Sequence, residues 1–287
     1  MILFIHTMER TVQTMSFFKV TSIIVFFLSL AIFVSYGYAV EQTAVREQDL
    51  INQESVTILV QRARALSQEG KLLEAQKVYR NIITPDASGL SVSDEIRREF
   101  EDINLKIIFS RLKTDNCTFY TVKSGDSLYK IAKKYGTTIE LIKKSNGLSS
   151  STIYPDDTLK VITASFSIFV DKSDNTLQVK LNDRIVKTYT VATGKDNNTP
   201  VGLFTIRDKL IDPTWYHAGA IVPPDSAENI LGTRWMGFNL RGYGIHGTTM
   251  PETIGSQSTA GCVRMFNRDV EEVYSLIPVG IKVVIID

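Results

Sequence analysis

Residues 120–162 read YTVKSGDSLYKIAKKYGTTIELIKKSNGLSSSTIYPDDTLKVI, and their pattern decides how this part of the chain folds. Phe119–Val122 starts as a short alternating strand. Asp126 or Ser127 then offers a side-chain oxygen to the free amides of a first helical turn. Leu128, Ile131, Ala132 and Tyr135 share one face of the helix that follows. A second helix begins near Thr138 and carries Ile139, Leu141 and Ile142. It ends around Asn146-Gly147, where left-handed backbone is easily adopted. Thr158–Ile162 closes the unit as a second strand, giving a βααβ order.

From Ser165 to the C-terminus the chain reads as β-rich. Alternation runs through Phe166–Val170, Leu177–Leu181 and Ile185–Ala192, with turn residues at Lys172–Asn175 and Asn182-Asp183. Gly202–Ile206 follows a proline-containing turn, and Lys282–Ile286 is a last strand. One clear helix, Asn267–Leu276, has Asn267 as its expected N-cap. Strands at this spacing without helices between them predict a sandwich or barrel.

Residues 243–267, YGIHGTTMPETIGSQSTAGCVRMFN, hold the reactive side chains. A cysteine is a nucleophile as thiolate, and a nearby imidazole lowers its pKa and takes the proton. His246 and Cys262 lie 16 positions apart, a separation that two adjacent strands can close. Gly247 and Gly261 allow close backbone approach beside each of them, and the amides of Gly261 and Cys262 are placed to face a developing oxyanion. The bland alternative is a buried small hydrophobe at Cys262 and a satisfied core histidine at His246. Trp215, Tyr216, His217 and Trp235 either line a cleft through the loop between Ile211 and Gly237 or serve as packing.

With only Cys117, Cys262, His6, His217 and His246 available, the sequence has no disulfide framework and no metal-ligand spacing. No metal and no cofactor are expected. A net charge of +1 with no long basic run excludes nucleic acid as an expected partner.

Toward the N-terminus, Val20–Val40 is 21 residues without a charge. As a helix at about 1.5 Å per residue it spans roughly 30 Å, enough to cross a bilayer. Arg10 and Lys19 precede it, which places the N-terminus in the cytoplasm and the rest outside. Gly37-Tyr38-Ala39 also suits a signal peptidase, so the segment is an uncleaved inner-membrane anchor or a cleaved signal. Residues 41–113 read as helical. Val56, Leu59, Val60, Ala63 and Leu66 recur at helical spacing, Gly70 interrupts, and the pattern resumes from Leu72 until Pro85. This stretch resembles a single tetratricopeptide-like hairpin, with Ser93–Leu112 as its packing partner. It is either a docking module for a protein partner or a helical spacer.

Residues 118–163 closely resemble the LysM carbohydrate-binding module. That resemblance implies binding of N-acetylglucosamine-containing glycan chains between Gly125-Asp126-Ser127-Leu128 and Ile153-Tyr154-Pro155-Asp156. Where the family usually has glycine after Pro155, this chain has Asp156. His246-Gly247-Thr248 and Thr259-Ala260-Gly261-Cys262-Val263-Arg264-Met265 resemble the active-site signature of L,D-transpeptidase catalytic domains. Ala192–Lys195, Thr199–Gly202 and Phe204–Ile206 are similar to the same family's strand and turn pattern. Many members carry a second histidine where this chain has Ala260, and Thr259 stands where serine is more usual.

The resemblance implies an enzyme of the cell envelope, on the exported side of the cytoplasmic membrane, whose partner is peptidoglycan. Cys262 would attack the third residue of a tetrapeptide stem, release D-alanine and pass the acyl group to a neighbouring stem as a 3→3 cross-link. His246, oriented by the Gly247 carbonyl, would act as base, and Arg264 would anchor a stem carboxylate. Thr259, Thr248, Trp235 and His217 would complete the substrate site. The expected organisation is a signal segment (1–40), a helical spacer (41–115), the LysM module (118–163) and a mainly β catalytic domain (165–287). Two alternatives remain: an L,D-carboxypeptidase using the same acyl-enzyme, and a non-catalytic peptidoglycan-binding envelope protein.

Overall fold

The computed structural model describes residues 55–83, 92–217 and 219–287. The Val20–Val40 segment lies outside them, and no helix among the described residues is long and apolar enough to cross a membrane. The chain divides into two units, residues 1–62 with 85–89 and residues 63–84 with 90–287. Of the first, only residues 55–62 are described, and they are helical. The architecture that follows is that of the second.

It opens with helical residues 63–68 (α1), α2 (Leu72–Ile83) and α3 (Asp94–Ile108). Gly70, at φ +76°, makes the turn between the first two, a backbone state that favours glycine. Ala63, Ala75 and Tyr79 pack on Ile103 and Ile107 of α3. Glu99 of α3 accepts from the Tyr79 hydroxyl at 2.5 Å and from the Arg64 guanidinium at 2.6 Å. The expected hairpin with its packing partner is therefore present. Another face of α3, with Leu105 and Ile108, is built into the β-rich core.

The βααβ unit comprises β1 (Cys117–Thr121), α4 (Leu128–Tyr135), α5 (Ile139–Asn146) and β2 (Thr158–Ile162). Of the two caps considered, Ser127 is the one used, and Thr138 caps α5. Gly136 and Gly147 end the two helices in the left-handed region. Asp156 takes φ +72°, so it keeps the backbone state that a glycine there would adopt. With Pro155 before it and Asp157 N–H donating to the Tyr154 carbonyl at 3.1 Å, the loop forms a tight turn that aspartate tolerates.

The remaining strands are β3 (Phe166–Asp171), β4 (Thr176–Leu181), β5 (Arg184–Thr190), β6 (Thr193–Gly194), β7 (Gly202–Ile211), β8 (Trp215–His217), β9 (Ala220–Val222), β10 (Arg234–Phe238), β11 (Gly244–His246), β12 (Gln257–Thr259), β13 (Val263–Arg264) and β14 (Lys282–Ile286), with helix α6 (Asn267–Leu276). Eight of them form one mixed sheet in the order β13-β11-β10-β7-β14-β3-β4-β5. β7 joins its halves: Gly202–Thr205 pair with β14, while the segment from Ile206 to Ile211 pairs with β10. Side chains from both halves (Ile168, Val179, Met236, Ile245, Val263) meet in one core with Val270 and Val273 of α6. The sheet thus curls around a single core, which is how the expected sandwich or barrel is realised.

β5 is an edge strand, and α3 covers its free backbone groups. Thr188 N–H donates to Glu101 at 3.1 Å, and Asn104 donates to the Val186 carbonyl at 3.2 Å. An uncovered edge would invite pairing with another chain.

Candidate active site

β11 and β13 run parallel, with Ile245 opposite Val263 and His246 opposite Arg264. Successive side chains alternate between faces, so Ile245 and Val263 enter the core while His246 and Arg264 share the other face. Cys262 directly precedes β13. Strand register thus brings His246 beside Arg264, two residues after Cys262.

His246 is buried, and its Nδ1 lies 2.7 Å from the Gly247 carbonyl. A carbonyl only accepts, so in the neutral ring Nδ1 carries the hydrogen and Nε2 keeps the lone pair. Trp235, opposite His246 in β10, stacks on the imidazole with ring centroids 6.1 Å apart. Its indole donates to Asp208 at 3.0 Å. Burial, helped by the Arg264 charge, pushes the imidazole pKa down to about 4, although the Gly247 and Ile230 carbonyls pull the other way. Near neutral pH the ring is an uncharged base.

The Cys262 thiol donates to the Gly242 carbonyl at 3.5 Å, the contact of a protonated sulfur. Burial raises its pKa, against a hydrogen bond from the Gly244 backbone and the Arg264 charge, which lower it. The sequence reading expected the imidazole to lower the thiol pKa. In the structure the positive charge acting on the thiol belongs to Arg264, because the buried imidazole is neutral.

Arg264 is 4% exposed, and its Nη1 donates to Thr253 Oγ1 at 2.9 Å. Its Nε has no hydrogen-bond partner among the described residues. An unpaired buried donor costs free energy, so this edge of the guanidinium is suited to a bound anion.

Other expected site residues serve differently. The Thr259 hydroxyl donates to the Cys262 carbonyl at 2.7 Å and accepts from Gly261 N–H at 3.1 Å. It therefore clamps the turn that leads into Cys262. The Gly261 amide, expected to face an oxyanion, is engaged by that clamp. Gly261 itself sits at φ +136°, and a Cβ there would meet the Tyr243 ring at 2.7 Å. Thr248 is buried and its hydroxyl accepts from Met250 N–H at 2.8 Å. His217 lies in β8, and its side chain is outside the described residues. Cys117 and Cys262 are both free.

Asn267 is a correction to the sequence reading. The N-cap of α6 is Phe266, with no side-chain capping bond. The Asn267 amide reaches back to the strand segment after His246, donating to the Thr248 carbonyl at 2.9 Å and accepting from Thr248 N–H at 2.8 Å. Tyr243 and Gly242 were also not singled out, since neither carries a residue type that announces such a role.

In the βααβ unit, Gly125 adopts φ +81° and Asp126 accepts from Lys123 N–H at 2.8 Å and from the Tyr120 hydroxyl at 2.7 Å. The Lys123 amide, then the Tyr120 hydroxyl, holds the Asp126 carboxyl below its usual range. Leu128 is buried in the unit's own core, and Ile153 packs against it. Leu128 is therefore a core residue and not a surface for sugar. Tyr154 is two-thirds exposed beside Pro155 and stands at the mouth of the second loop.

Residues 165–286 match the YkuD family, an L,D-transpeptidase catalytic domain, and residues 120–161 match the LysM domain. YqjB of Bacillus subtilis (strain 168), named as an L,D-transpeptidase, is 40% identical over 126 residues, 42% of this chain and 70% of that protein. YkuD of Bacillus licheniformis (strain ATCC 14580), named likewise, is 33% identical over 172 residues, 57% of this chain and 96% of that one. LytE of Bacillus subtilis (strain 168), named as a peptidoglycan endopeptidase, is 58% identical over 48 residues, 17% of this chain and 14% of that one. On these matches the chain belongs to the L,D-transpeptidase family and carries a LysM domain ahead of its catalytic domain.

Proposed function

We propose that this protein joins peptidoglycan stem peptides through a Cys262 acyl-enzyme, forming 3→3 cross-links. What carries the reading is His246 opposite Arg264 in adjacent strands, with Cys262 two residues before Arg264 and the Arg264 charge acting on both. Thiol and imidazole both start uncharged. The Cys262 proton passes to His246 Nε2 as sulfur attacks the carbonyl of the third stem residue. Proton transfer during attack avoids a buried ion pair in the resting state. The C–N bond to D-alanine then breaks, the imidazolium returns its proton to the leaving amine, and a thioester remains. The side-chain amine of a neighbouring stem attacks the thioester, forms the cross-link amide and restores the thiol.

Arg264 anchors a stem carboxylate through its unpartnered edge. Of the two amides expected at the oxyanion, that of Cys262 is the one left for the role. The LysM loops, with Gly125, Asp126 and Ser127 on one side and Ile153, Tyr154 and Pro155 on the other, hold a glycan strand. The N-terminal segment exports the chain to the outer side of the cytoplasmic membrane, as an anchor or a cleaved signal.

Mass spectrometry of the purified protein after incubation with disaccharide-tetrapeptide, beside Cys262→Ala, tests the reading. A thioester on Cys262 with released D-alanine is expected, followed by cross-linked dimers. Release of D-alanine without dimers would replace transpeptidation with carboxypeptidation. A folded protein with no adduct and no turnover would overturn the enzymatic reading.

A further inference from the structure

We infer that Asn267 is a positioning residue for the Cys262–His246 pair, acting on the imidazole through the single peptide bond between Gly247 and Thr248. The inference rests on the proposed role of His246 as base. The Gly247 carbonyl and the Thr248 N–H belong to one planar peptide unit and point in opposite directions. The carbonyl lies 2.7 Å from His246 Nδ1, while the N–H donates to Asn267 Oδ1 at 2.8 Å. Fixing one end of that plane fixes the other.

The Asn267 side chain is itself held at two more points. Its Nδ2 donates to the Thr248 carbonyl at 2.9 Å, and its Oδ1 also accepts from Thr233 N–H at 3.3 Å. Side-chain amide and backbone thus form the two-bond pairing of a strand ladder, without a strand. The chain Asn267 C=O, Thr248 N–H, Gly247 C=O, His246 Nδ1–H aligns its dipoles head to tail, so each bond polarises the next. The result is an imidazole with Nδ1–H fixed and Nε2 basic, which is the tautomer the attack on a stem requires.

Two glycines make room for this arrangement. A Cβ at Gly247 or at Gly232 would lie 2.2 Å from Asn267 Oδ1. Gly247 is therefore needed for the incoming amide more than for close approach to a substrate. The position also explains why an asparagine at the start of α6 does not cap it. A residue of a type favoured for capping has its amide directed to the catalytic strand instead.

The chain has three histidines, so full-length protein labelled with 15N in histidine alone gives few imidazole signals, and His246→Gln assigns the relevant pair. In the wild type near neutral pH, His246 should show protonated Nδ1 and unprotonated Nε2. In Asn267→Ala the two nitrogens should move toward averaged shifts. The kcat for D-alanine release should fall about a hundredfold, with KM little changed. Asn267→Asp, which retains an acceptor for Thr248 N–H, should keep the wild-type tautomer and more of the activity than alanine does.

An Asn267→Ala protein with wild-type circular dichroism and an unchanged His246 spectrum would overturn the inference. Should alanine not fold, Asn267→Ser takes its place with the same readouts, since serine is polar but too short to reach Thr248. The tautomer readout needs no substrate. Failure of acyl transfer in the wild type overturns the proposed reaction, whereas an unchanged imidazole in the variants overturns the role of Asn267.

Discussion

At the imidazole burial and the Arg264 charge act together, whereas at the thiol they oppose each other and burial wins. His246 is held near pKa 4, so its basic form is complete well below neutrality. The acid limb of kcat/KM should accordingly bend near pH 4, and a bend near the ordinary histidine value of about 6.5 would sink the buried neutral base. The same shift links folding to pH. Between about 6.5 and 4 the unfolded chain binds the proton and the folded chain does not. His246 therefore contributes fully above about 6.5, loses its contribution as pH falls to about 4, and changes nothing further below, for a total on the order of 3 kcal/mol. Urea denaturation at pH 7.5 and 4.5 should show that loss in the wild type and a smaller one in His246→Gln.

Gly261 is the other residue with no latitude. Alanine there faces both a positive φ and the Tyr243 ring. A cost of about 1–3 kcal/mol is expected from the backbone alone, together with lost turnover as the Thr259 clamp shifts. Thermal melting and D-alanine release, measured on the same sample, check both parts.

Elements were legible in the sequence where a run of apolar residues meets a core. Thr158–Ile162 and Lys282–Ile286 occur as read, because their apolar residues meet a core on at least one side. The helices of the LysM domain were equally plain, since Thr138 and Gly147 mark the ends of α5. β7 was read only to Ile206, yet it continues to Ile211 through Arg207, Asp208 and Lys209, residues that look like the end of a strand. Its second half is held by pairing with β10, a partner distant in sequence. The hairpin of β8 and β9 has three residues per strand, too few for a period to be seen. Asn267 was misread because local propensity favours a cap there, and only the tertiary approach of Thr248 redirects it.

Lys160 belongs to this scale as well. Its stem is buried in β2, and its ammonium donates to the carbonyls of Ile107 at 2.9 Å, Ile108 at 3.3 Å and Ser110 at 2.7 Å. A LysM strand thereby caps the C-terminal end of α3, where carbonyls lack partners within the helix. Burial lowers the Lys160 pKa, while the three carbonyl acceptors favour the charged form. Lys160→Met should destabilise by about 1–3 kcal/mol in chemical denaturation, and a neutral result would show that water replaces the ammonium.

In the molecule as a whole, the LysM domain is fastened to the catalytic domain at several points. Thr138 hydrogen-bonds the Ser275 carbonyl at the end of α6, and Lys144 donates to the Ser275 hydroxyl at 3.0 Å. Leu141 and Ile162 lie in the same core as Phe166 and Val273, together with Leu105 and Ile108 of α3. Calorimetry should therefore show one cooperative transition for LysM, α3 and catalytic domain together, with calorimetric and van't Hoff enthalpies in agreement. Two separated transitions would mean that the shared core contributes little.

The Ser275 contacts also bear on how substrate is chosen. A sugar module on a slack tether lets its enzyme sample every stem within reach, with effective concentration falling gradually with distance. Bolted to α6, a LysM domain that grips glycan behaves like a jig. On the proposed reaction, stems at one offset along the strand, and facing one way around it, would meet Cys262 at high local concentration, while their neighbours would not meet it at all. Spacing between cross-links would then be written into the angle between two helices.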